Sequence, residues 1–250
     1  MRRRAFAVLF ALIVAIIALA VFAPATLLDR ELAAATQEKL RLSDAQGTIW
    51  RGRGAIGDAR GTWRVPVAWR LAPLSLARGT LALTFEPLPD GSGPRGEVTL
   101  REGAFDVRGV SLALPAAALA SAIGEGIALA AGGEIMLDAP TLRYAARSGD
   151  GAVAARWDRA RLAWNGATLD LGTIAGRLVP RGEQWLVTLS NSGGTARLSG
   201  EITATLEGAS LRGTIAPGPE TPPEIARTLA ALGTPNASGA IQIQARIGAR

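Results

Sequence analysis

The stretch Gly47–Gly57, which reads GTIWRGRGAIG, has a composition suited to chemistry, because glycine-rich loops can bind phosphate groups. A phosphate-binding loop of the G-x-x-x-x-G-K-[ST] type needs a lysine, and this stretch contains none. Gly52, Gly54 and Gly57 do match the dinucleotide spelling G-x-G-x-x-G. The residues that follow include Pro66 and alternate like a strand, so the helix N-terminus that would hold a pyrophosphate is missing. The sequence therefore predicts no nucleotide site here.

Outside this stretch, few residues of the chain could carry out catalysis. The 250 residues include no histidine and no cysteine, which removes the usual general base, the commonest transition-metal ligand and every thiolate site. No spacing among the remaining carboxylates singles out an acid–base pair, and the nucleophile motif G-x-S-x-G does not occur. We predict no catalytic, cofactor-binding or metal-binding residue, and no enzyme activity. The carboxylates considered are Asp58, Glu86, Asp90, Glu97, Glu102, Glu125, Glu134 and Asp138.

Most of the chain is predicted to form β-strands. From Leu42 onward, apolar and polar residues alternate with a period of two, and glycine, asparagine or the turn Pro89–Asp90–Gly91 separates the runs. We predict a mainly β fold: an antiparallel curved sheet or open β-sandwich in two related halves, with an N-terminal transmembrane helix and short α-helices. Two short helices are predicted at Pro115–Ile123 and Pro222–Leu232.

An internal repeat supports the division into halves. Arg95–Pro115 matches Ser199–Pro219 at a constant offset of 104 residues. After each match, a short helix candidate precedes a strand that opens with glycine. Repeats of this kind determine architecture, so we expect repeat-like halves over about 42–140 and 141–250 of a single domain, 42–250.

Residues 1–24 have the features of a membrane anchor. Arginines at positions 2, 3 and 4 precede an unbroken apolar run of nineteen residues, Ala5–Ala23. At about 1.5 Å per residue the run spans roughly 28 Å, close to the hydrocarbon thickness of a bilayer, and the arginines favour a cytoplasmic N-terminus. A cleaved signal peptide is the alternative, but its apolar region is usually about 7–15 residues long. We predict an uncleaved signal anchor, which in a bacterium makes residues 25–250 periplasmic.

Residues 25–41 follow the apolar run and place leucine and alanine along one stripe of a helix. This pattern predicts a membrane-proximal helix that packs on the domain. A helical stalk or linker is the alternative.

The basic charge does not indicate a nucleic-acid partner. The formal net charge is +6, and the three arginines before the apolar run account for half of it. The remainder is spread along the chain, whereas a DNA-binding protein presents a basic cluster on one face. We therefore predict no binding to nucleic acid.

The tryptophans near the glycine-rich stretch are expected in the core. Ile49 and Trp50 are predicted to begin a buried strand, and Trp69 alternates with Val67 on one face of the next strand. Pro66 indicates that this strand lies at an edge or contains a bulge. Stacking of the indole rings on sugars or lipid headgroups is the alternative.

These residues form the pattern G-T-I-W-x-G, followed about 15–20 residues later by W-x-L-x-P-x-x-L-x-x-G. Together with the single anchor and a cytoplasmic N-terminus, the pattern resembles the type II secretion system protein N family, also called general secretion pathway protein N. The resemblance covers residues 24–83 and implies an accessory inner-membrane component of the machine that exports folded proteins from the periplasm. It implies structural roles for the motif and no catalytic residue. The motif residues predicted as the site are Gly47, Thr48, Ile49, Trp50, Gly52, Trp69, Pro73 and Gly79.

Two functions follow as hypotheses. The first is a non-catalytic component of type II secretion that presents a periplasmic β domain to other secretion components by strand-edge or surface pairing. The alternative is an anchored periplasmic lipid-binding or transfer module, whose curved sheet holds acyl chains. Both place the protein in the inner membrane with one span, through residues 5–23, and with its C-terminal domain in the periplasm. Neither needs a cofactor.

Overall fold

The structure is a computed structural model, and it describes residues 22–118, 129–164, 167–205, 208–218, 221, 223–230, 235–236 and 239–248. This described part contains thirteen β-strands and three α-helices. Every pairing between neighbouring strands reported below is antiparallel, so the predicted mainly β, antiparallel fold is confirmed. The chain divides into two compact units, unit 1 (Met1–Gly93) and unit 2 (Pro94–Arg250).

Unit 1 combines a small sheet with a helix that packs against its first strand. Strands pair in chain order, β1 with β2, β2 with β3, and β3 with β4. Val65, Val67 and Trp69 are buried on one face of β3, as the alternation predicts. The elements of unit 1 are α1 (Thr26–Ala35), β1 (Leu40–Gly47), β2 (Arg51–Asp58), β3 (Arg64–Leu71), α2 (Pro73–Leu76) and β4 (Leu81–Phe85).

The helix predicted over residues 25–41 is shorter in the structure. α1 ends at Ala35, and Gln37 and Glu38 follow with positive φ angles of 54° and 63°. A right-handed helix requires negative φ, so the helical hydrogen bonds stop there. The chain then reverses and β1 begins at Leu40, whose apolar side chain extended the helical pattern in the sequence although it belongs to the strand.

The strand predicted to start at Ile49 and Trp50 is also corrected. Both residues lie in the connection between β1 and β2, and β2 begins at Arg51. The reason is a tight closure in which Thr48 N donates a hydrogen bond to Arg51 O at 2.9 Å. Residues inside that closure cannot join the strand ladder.

Unit 2 is an open antiparallel sheet whose strands pair in chain order from β5 to β13. Three of its strands are long, with 17, 17 and 15 residues in β7, β8 and β9. The elements are β5 (Arg95–Arg101), β6 (Ala104–Pro115), β7 (Leu129–Ala145), β8 (Ser148–Trp164), β9 (Ala167–Arg181), β10 (Gln184–Ser192), β11 (Ala196–Thr205), β12 (Gly208–Pro217), α3 (Pro223–Ala230) and β13 (Ile241–Gly248).

The sheet of unit 2 has one apolar and one polar face, because side chains alternate along each strand. Two adjacent cross-strand rows over β9 to β12 illustrate the division. The apolar row is Leu178, Val187, Ile202 and Leu211, and the polar row is Arg177, Thr188, Glu201 and Arg212.

The apolar face is covered in the half of the strands that lies away from the hairpin turns at 102–103, 146–147 and 182–183. There α3 packs against β9 and β12, and its Leu229 is 2% exposed. The buried cluster in this covered half consists of Ala116, Trp157, Ala160, Leu171, Ile174, Ala196, Ile215, Leu229 and Ile241.

The two segments of the internal repeat fold as hairpins with the same register. Glu97 lies opposite Arg108 in the β5–β6 hairpin, and Glu201 lies opposite Arg212 in the β11–β12 hairpin. Both pairs are separated by 104 residues, the offset of the repeat. The division into halves at about residue 140 stays a prediction.

Several predicted helices fall wholly or partly outside the described residues. The anchor Ala5–Ala23 lies outside them except for Phe22 and Ala23, and Pro115–Ile123 is described only to residue 118. α3 occupies the described part of the predicted helix Pro222–Leu232. No helix in the part of the chain that the structure describes is long and apolar enough to cross a membrane.

Candidate functional site

The eight residues of the predicted family-motif site all lie in unit 1, around the connection between β1 and β2. The structure brings the glycine-rich part of the motif against β3 and places its last residues directly after β3. Gly47 ends β1, Thr48, Ile49 and Trp50 form the connection, Gly52 is in β2, Trp69 is in β3, Pro73 begins α2, and Gly79 follows α2.

Trp69 lies at the centre of this region. It is 4% exposed, and its indole Nε1 donates a hydrogen bond to Ile49 O at 3.1 Å. Gly52 is its partner on β2, and a Cβ there would lie 2.6 Å from Trp69 Cζ2 and 2.5 Å from Gln46 O. Glycine at 52 therefore leaves the space that the ring fills, and the ring holds the β1–β2 connection in place.

Gly47 and Thr48 shape the connection itself. Gly47 has a φ of 90°, and a Cβ there would lie 2.5 Å from Arg51 O, so an L side chain does not fit. The Thr48 hydroxyl accepts a hydrogen bond from Arg51 N at 3.2 Å. The backbone geometry of the connection therefore explains why the motif has glycine at position 47 and threonine at position 48.

The same connection binds the chain segment that enters the unit. Ala25 N donates to Gly47 O at 3.1 Å, and Pro24 forms an antiparallel bridge with Thr48. Ala25 is 1% exposed. We call this pairing of Pro24 and Ala25 with Gly47 and Thr48 the chain entry. The residues that follow the predicted anchor are thus part of the folded unit and do not form a linker.

Pro73 and Gly79 set the two ends of α2. Proline at the first helical position has a φ already suited to the helix, and Gly79 has a φ of 67°, the left-handed conformation that ends a helical turn. Nothing lies within 4 Å of a Cβ placed on Gly79, so its conformation and not its space requires glycine.

Apolar side chains are exposed at this end of unit 1. Leu74 and Leu76 of α2 are 77% and 46% exposed, and Phe22 is 74% exposed. Leu71 N donates to Trp50 O at 2.7 Å, so α2 begins two residues from a contact with the β1–β2 connection. Phe22 lies two residues before Pro24 of the chain entry at that connection, so these apolar groups lie at the same end.

A cavity of about 420 Å³ opens beside the motif and is lined by Gly47, Gly52 and charged residues of β2 and the β4 end. Glu86 lies 2.5 Å from the guanidinium of Arg70 and 3.6 Å from that of Arg51. Both guanidinium groups are more than half exposed, so each pair contributes at most about 1 kcal/mol. The carboxylate of Glu86 thus pairs with the guanidinium groups of both Arg70 and Arg51.

Among the candidate carboxylates, Asp58 and Asp90 stabilise turns and Glu86 forms the ion pairs described above. Asp58 accepts hydrogen bonds from the amides of Thr62 and Trp63, at 2.7 and 3.3 Å. Asp90 accepts from Ser92 Oγ at 2.6 Å, and this bond lowers the pKa of Asp90, whereas a general acid at neutral pH needs a raised pKa. Within the described residues no three histidine, cysteine or acidic side chains lie close enough to hold a metal ion. Glu125 lies outside the described residues.

Sequence reasoning did not identify the two strand edges at the ends of the strand order. On β1 the outward N–H groups of Leu40 and Leu42 donate to Thr36 Oγ1 and to Asp29 Oδ1, so residues of α1 and its C-terminal cap occupy this edge. β13 pairs with β12 and, in the described residues, has no strand on its other side beyond a single bridge between Pro235 and Ile241.

The family model for type II secretion system protein N matches residues 38–244. The match includes every motif residue from Gly47 to Gly79 and most of both units. No curated protein and no solved structure matches the chain.

Proposed function

Because the chain belongs to the type II secretion system protein N family, we propose that it is a non-catalytic accessory component that presents its β domain to other components of the secretion machine. The domain stands in the periplasm and is held at the inner membrane by the anchor Ala5–Ala23. The observation that carries this proposal is the chain entry, which joins the end of the apolar run directly to the family motif.

In this proposal the motif connects the membrane anchor to the folded β domain. Ile49 N donates to Ala23 O at 2.9 Å, and Ile49 O accepts the indole hydrogen bond of Trp69. One residue of the connection thus links the last apolar residue of the run to the best-buried tryptophan of unit 1. The motif holds the domain close to the membrane in a defined orientation. Exposed Phe22, Leu74 and Leu76 suit contact with the apolar side of the headgroup region.

We assign the contact with other secretion components to the outer edge of β13, which within the described residues pairs with no strand beyond the bridge between Pro235 and Ile241. An unpaired edge can accept a strand of a partner, whereas residues 29 and 36 cap the edge of β1. β13 contains no proline, and Gln242 and Gln244 are exposed on its polar face. The edge is therefore suited to main-chain pairing with an extended polypeptide strand of a partner.

Topology is tested with single cysteines, which have no background because the chain has none. In spheroplasts, a membrane-impermeant maleimide should label Gln244→Cys before lysis and Arg2→Cys only after lysis. Labelling of Gln244→Cys only after lysis would contradict the periplasmic location. A mature chain that begins near Ala25 and is released from the membrane would contradict the anchor.

The edge is tested by cross-linking in cells that carry the secretion machine. A photoreactive maleimide on Gln244→Cys should give an adduct with another secretion component. The matched control is Ser190→Cys, which is exposed on the same polar face in the middle of the sheet and should give at least tenfold less adduct. Equal adducts at both positions, or none at 244, would refute the edge assignment.

A further inference from the structure

The large apolar side chains that are exposed in the described part of unit 1 all lie at one end of it. This end contains the chain entry, the β1–β2 connection, α2 and the first turn of α1, whereas the β2–β3 turn lies at the opposite end. Leu74, Leu76 and Phe22 are 77%, 46% and 74% exposed, and Leu27 of α1 is 48% exposed. Trp50 of the connection is partly exposed as well. We call this end of unit 1 the entry end.

The charged side chains of the strands and of α2 at the entry end are basic. Arg51 and Arg53 lie on one face of β2, and Arg70 lies opposite Arg51 on β3, so these three side chains share a face. Arg78 follows α2 and is exposed. From residue 45 to residue 85 the only acidic residue is Asp58, which ends β2 at the opposite end of the unit.

Glu86 compensates only part of this positive charge. Its carboxylate lies 2.5 Å from the guanidinium of Arg70 and 3.6 Å from that of Arg51. Arg53 instead donates to the neutral side-chain oxygen of Gln46, at 3.1 and 2.9 Å. Four arginines and one glutamate therefore leave three positive charges in excess at the entry end.

The position of this charge fits the headgroup layer of a bilayer. The apolar run that we predict to cross the membrane ends at Ala23, and Ala23 O accepts a hydrogen bond from Ile49 N at 2.9 Å. The headgroup layer on each side of the hydrocarbon is about 5–7 Å deep. Arg53 lies two residues, or about 7 Å, further along β2 than Arg51, so both side chains reach lipid phosphates when the entry end touches the membrane.

We propose that the entry end docks on the membrane surface and that its arginines select anionic phospholipids. The inference rests on the proposed function for the anchor and adds the class of lipid that the β domain contacts. A zwitterionic headgroup carries no net charge, whereas each arginine close to an anionic surface favours docking by about fivefold.

The combination of side chains favours a membrane over an acidic protein as the occupant of this end. Exposed leucine and phenylalanine next to arginine are typical of segments that lie in the membrane interface. An acidic protein segment would pair with the arginines and leave Phe22, Leu74 and Leu76 in water.

The test uses the full chain in nanodiscs, with a fluorescent reporter on a single cysteine. Ala77→Cys, exposed between Leu76 and Arg78, places the reporter at the entry end, and Ala59→Cys, exposed in the β2–β3 turn, is the matched control. Discs of phosphatidylcholine are compared with discs in which about one third of the lipid is phosphatidylglycerol. In the anionic discs, acrylamide should quench the reporter on Ala77→Cys at least threefold less, and quenching of Ala59→Cys should not change.

The outcomes separate this inference from the anchor. Chains that stay with the discs but show equal quenching of Ala77→Cys in both lipids would refute the selection of anionic lipid and leave the anchor intact. Chains that elute without the discs would refute the anchor and the inference with it. In cells that carry the secretion machine, a photoreactive maleimide on Ala77→Cys that cross-links a protein in place of lipid would also overturn the inference.

Paired charge variants locate the selectivity. Arg53→Gln combined with Arg78→Gln removes two charges from the entry end and should weaken docking on anionic discs at least tenfold. Lys39→Gln combined with Arg64→Gln removes the same charge from the opposite end, where β1 and β3 begin, and should preserve the protection from acrylamide. All four side chains are exposed. An equal loss in both double variants would refute the assignment, because net charge alone would then explain the docking.

A second pair tests the apolar part of the contact. Leu74→Gln should at least double the quenching of the Ala77→Cys reporter in anionic discs. Leu100→Gln, which changes an exposed leucine of unit 2, is the control and should leave the quenching unchanged. Full protection in Leu74→Gln would contradict the docking of α2 on the membrane.

Discussion

Strand β3 of unit 1 and strand β10 of unit 2 both alternate apolar and polar residues and each contains a tryptophan, but they differ in burial. Trp69 and Val67 are 4% and 3% exposed, whereas Trp185 and Val187 are half-buried. Unit 1 packs α1 against its sheet, while the described helix of unit 2 covers one half of the apolar face. Alternation therefore identifies an apolar face without showing whether the protein itself covers it. Where the protein covers the face, burial stabilises the fold, and where it does not, the apolar side chains stay partly exposed.

The largest difference between the two strands should appear on removal of their tryptophans. Trp69→Ala removes a buried ring and its hydrogen bond, so we expect a loss of about 3–5 kcal/mol in the free energy of unfolding of unit 1. Trp185→Ala removes a half-buried ring and should cost less than about 2 kcal/mol. Urea titration of the full chain in detergent micelles, followed by hydrogen exchange of peptides from β1 to β3 and from β10, measures both. Equal losses would mean that the faces are equally covered.

A smaller effect should follow from filling the space under Trp69. Gly52→Ala places a methyl group 2.6 Å from Trp69 Cζ2 and 2.5 Å from a backbone oxygen, so we expect destabilisation by about 1–3 kcal/mol. The control is Gly132→Ala in unit 2, where the nearest atom would be Arg161 Cβ at 3.6 Å. It should change stability by less than about 0.5 kcal/mol. If thermal unfolding shows the same shift for both variants, the close fit of ring and glycine is not what holds the connection.

The smallest effect concerns the hydrogen bonds between Asp29 of α1 and residues Arg41 and Leu42 of β1. The pKa of Asp29 lies below its usual value because the Arg41 side chain donates hydrogen bonds to it, at 2.9 and 2.6 Å, and Leu42 N donates at 2.8 Å. With the pKa lower in the folded state, the unfolded chain binds the proton more tightly. The stabilisation is complete above the unfolded pKa, near 3.8, and is lost as the pH falls through the folded pKa.

Asp29→Asn should therefore remove about 1 kcal/mol at neutral pH and flatten the stability profile below pH of about 5. The measurement is the urea midpoint of the full chain between pH of about 2 and 7. Asp44→Asn is the control, because Asp44 is exposed and its nearest cation is Arg64 at 3.6 Å. A profile for Asp29→Asn that keeps the acid-dependent loss of the unchanged chain would show that another group causes it.

Much of the fold could be predicted from local patterns. The alternation of apolar and polar residues predicted the strands, as at Val65, Val67 and Trp69 in β3. The predicted turn Pro89–Asp90–Gly91 is also present, with a φ of 77° at Gly91. The predictions were wrong at apolar residues near the boundary of an element, because such a residue fits the pattern of either neighbouring element. Leu40 continued the helical stripe of α1 but lies in β1, and Ile49 looked like the start of a strand although the closure between Thr48 and Arg51 excludes it.

The candidate site was predicted as a set of residues but not as an arrangement. The motif lists Gly52 and Trp69 together, yet no spacing rule shows that one leaves room for the other, because their contact depends on the β2–β3 register. Contacts between distant strands were less accessible still. Phe105, Tyr144 and Trp185 lie far apart in the chain, and their rings meet because β6, β7 and β10 belong to one sheet.

The sequence by itself determined the class of secondary structure, the two-faced strands, the apolar run and the motif that marks the family, because each depends on residues close together in the chain. The tertiary structure decided which apolar residues are covered, which strand edge has no strand beside it among the described residues, and how the chain enters unit 1. Those properties depend on strand register, on sheet curvature and on where a helix packs, and they arise between residues that the chain itself keeps far apart.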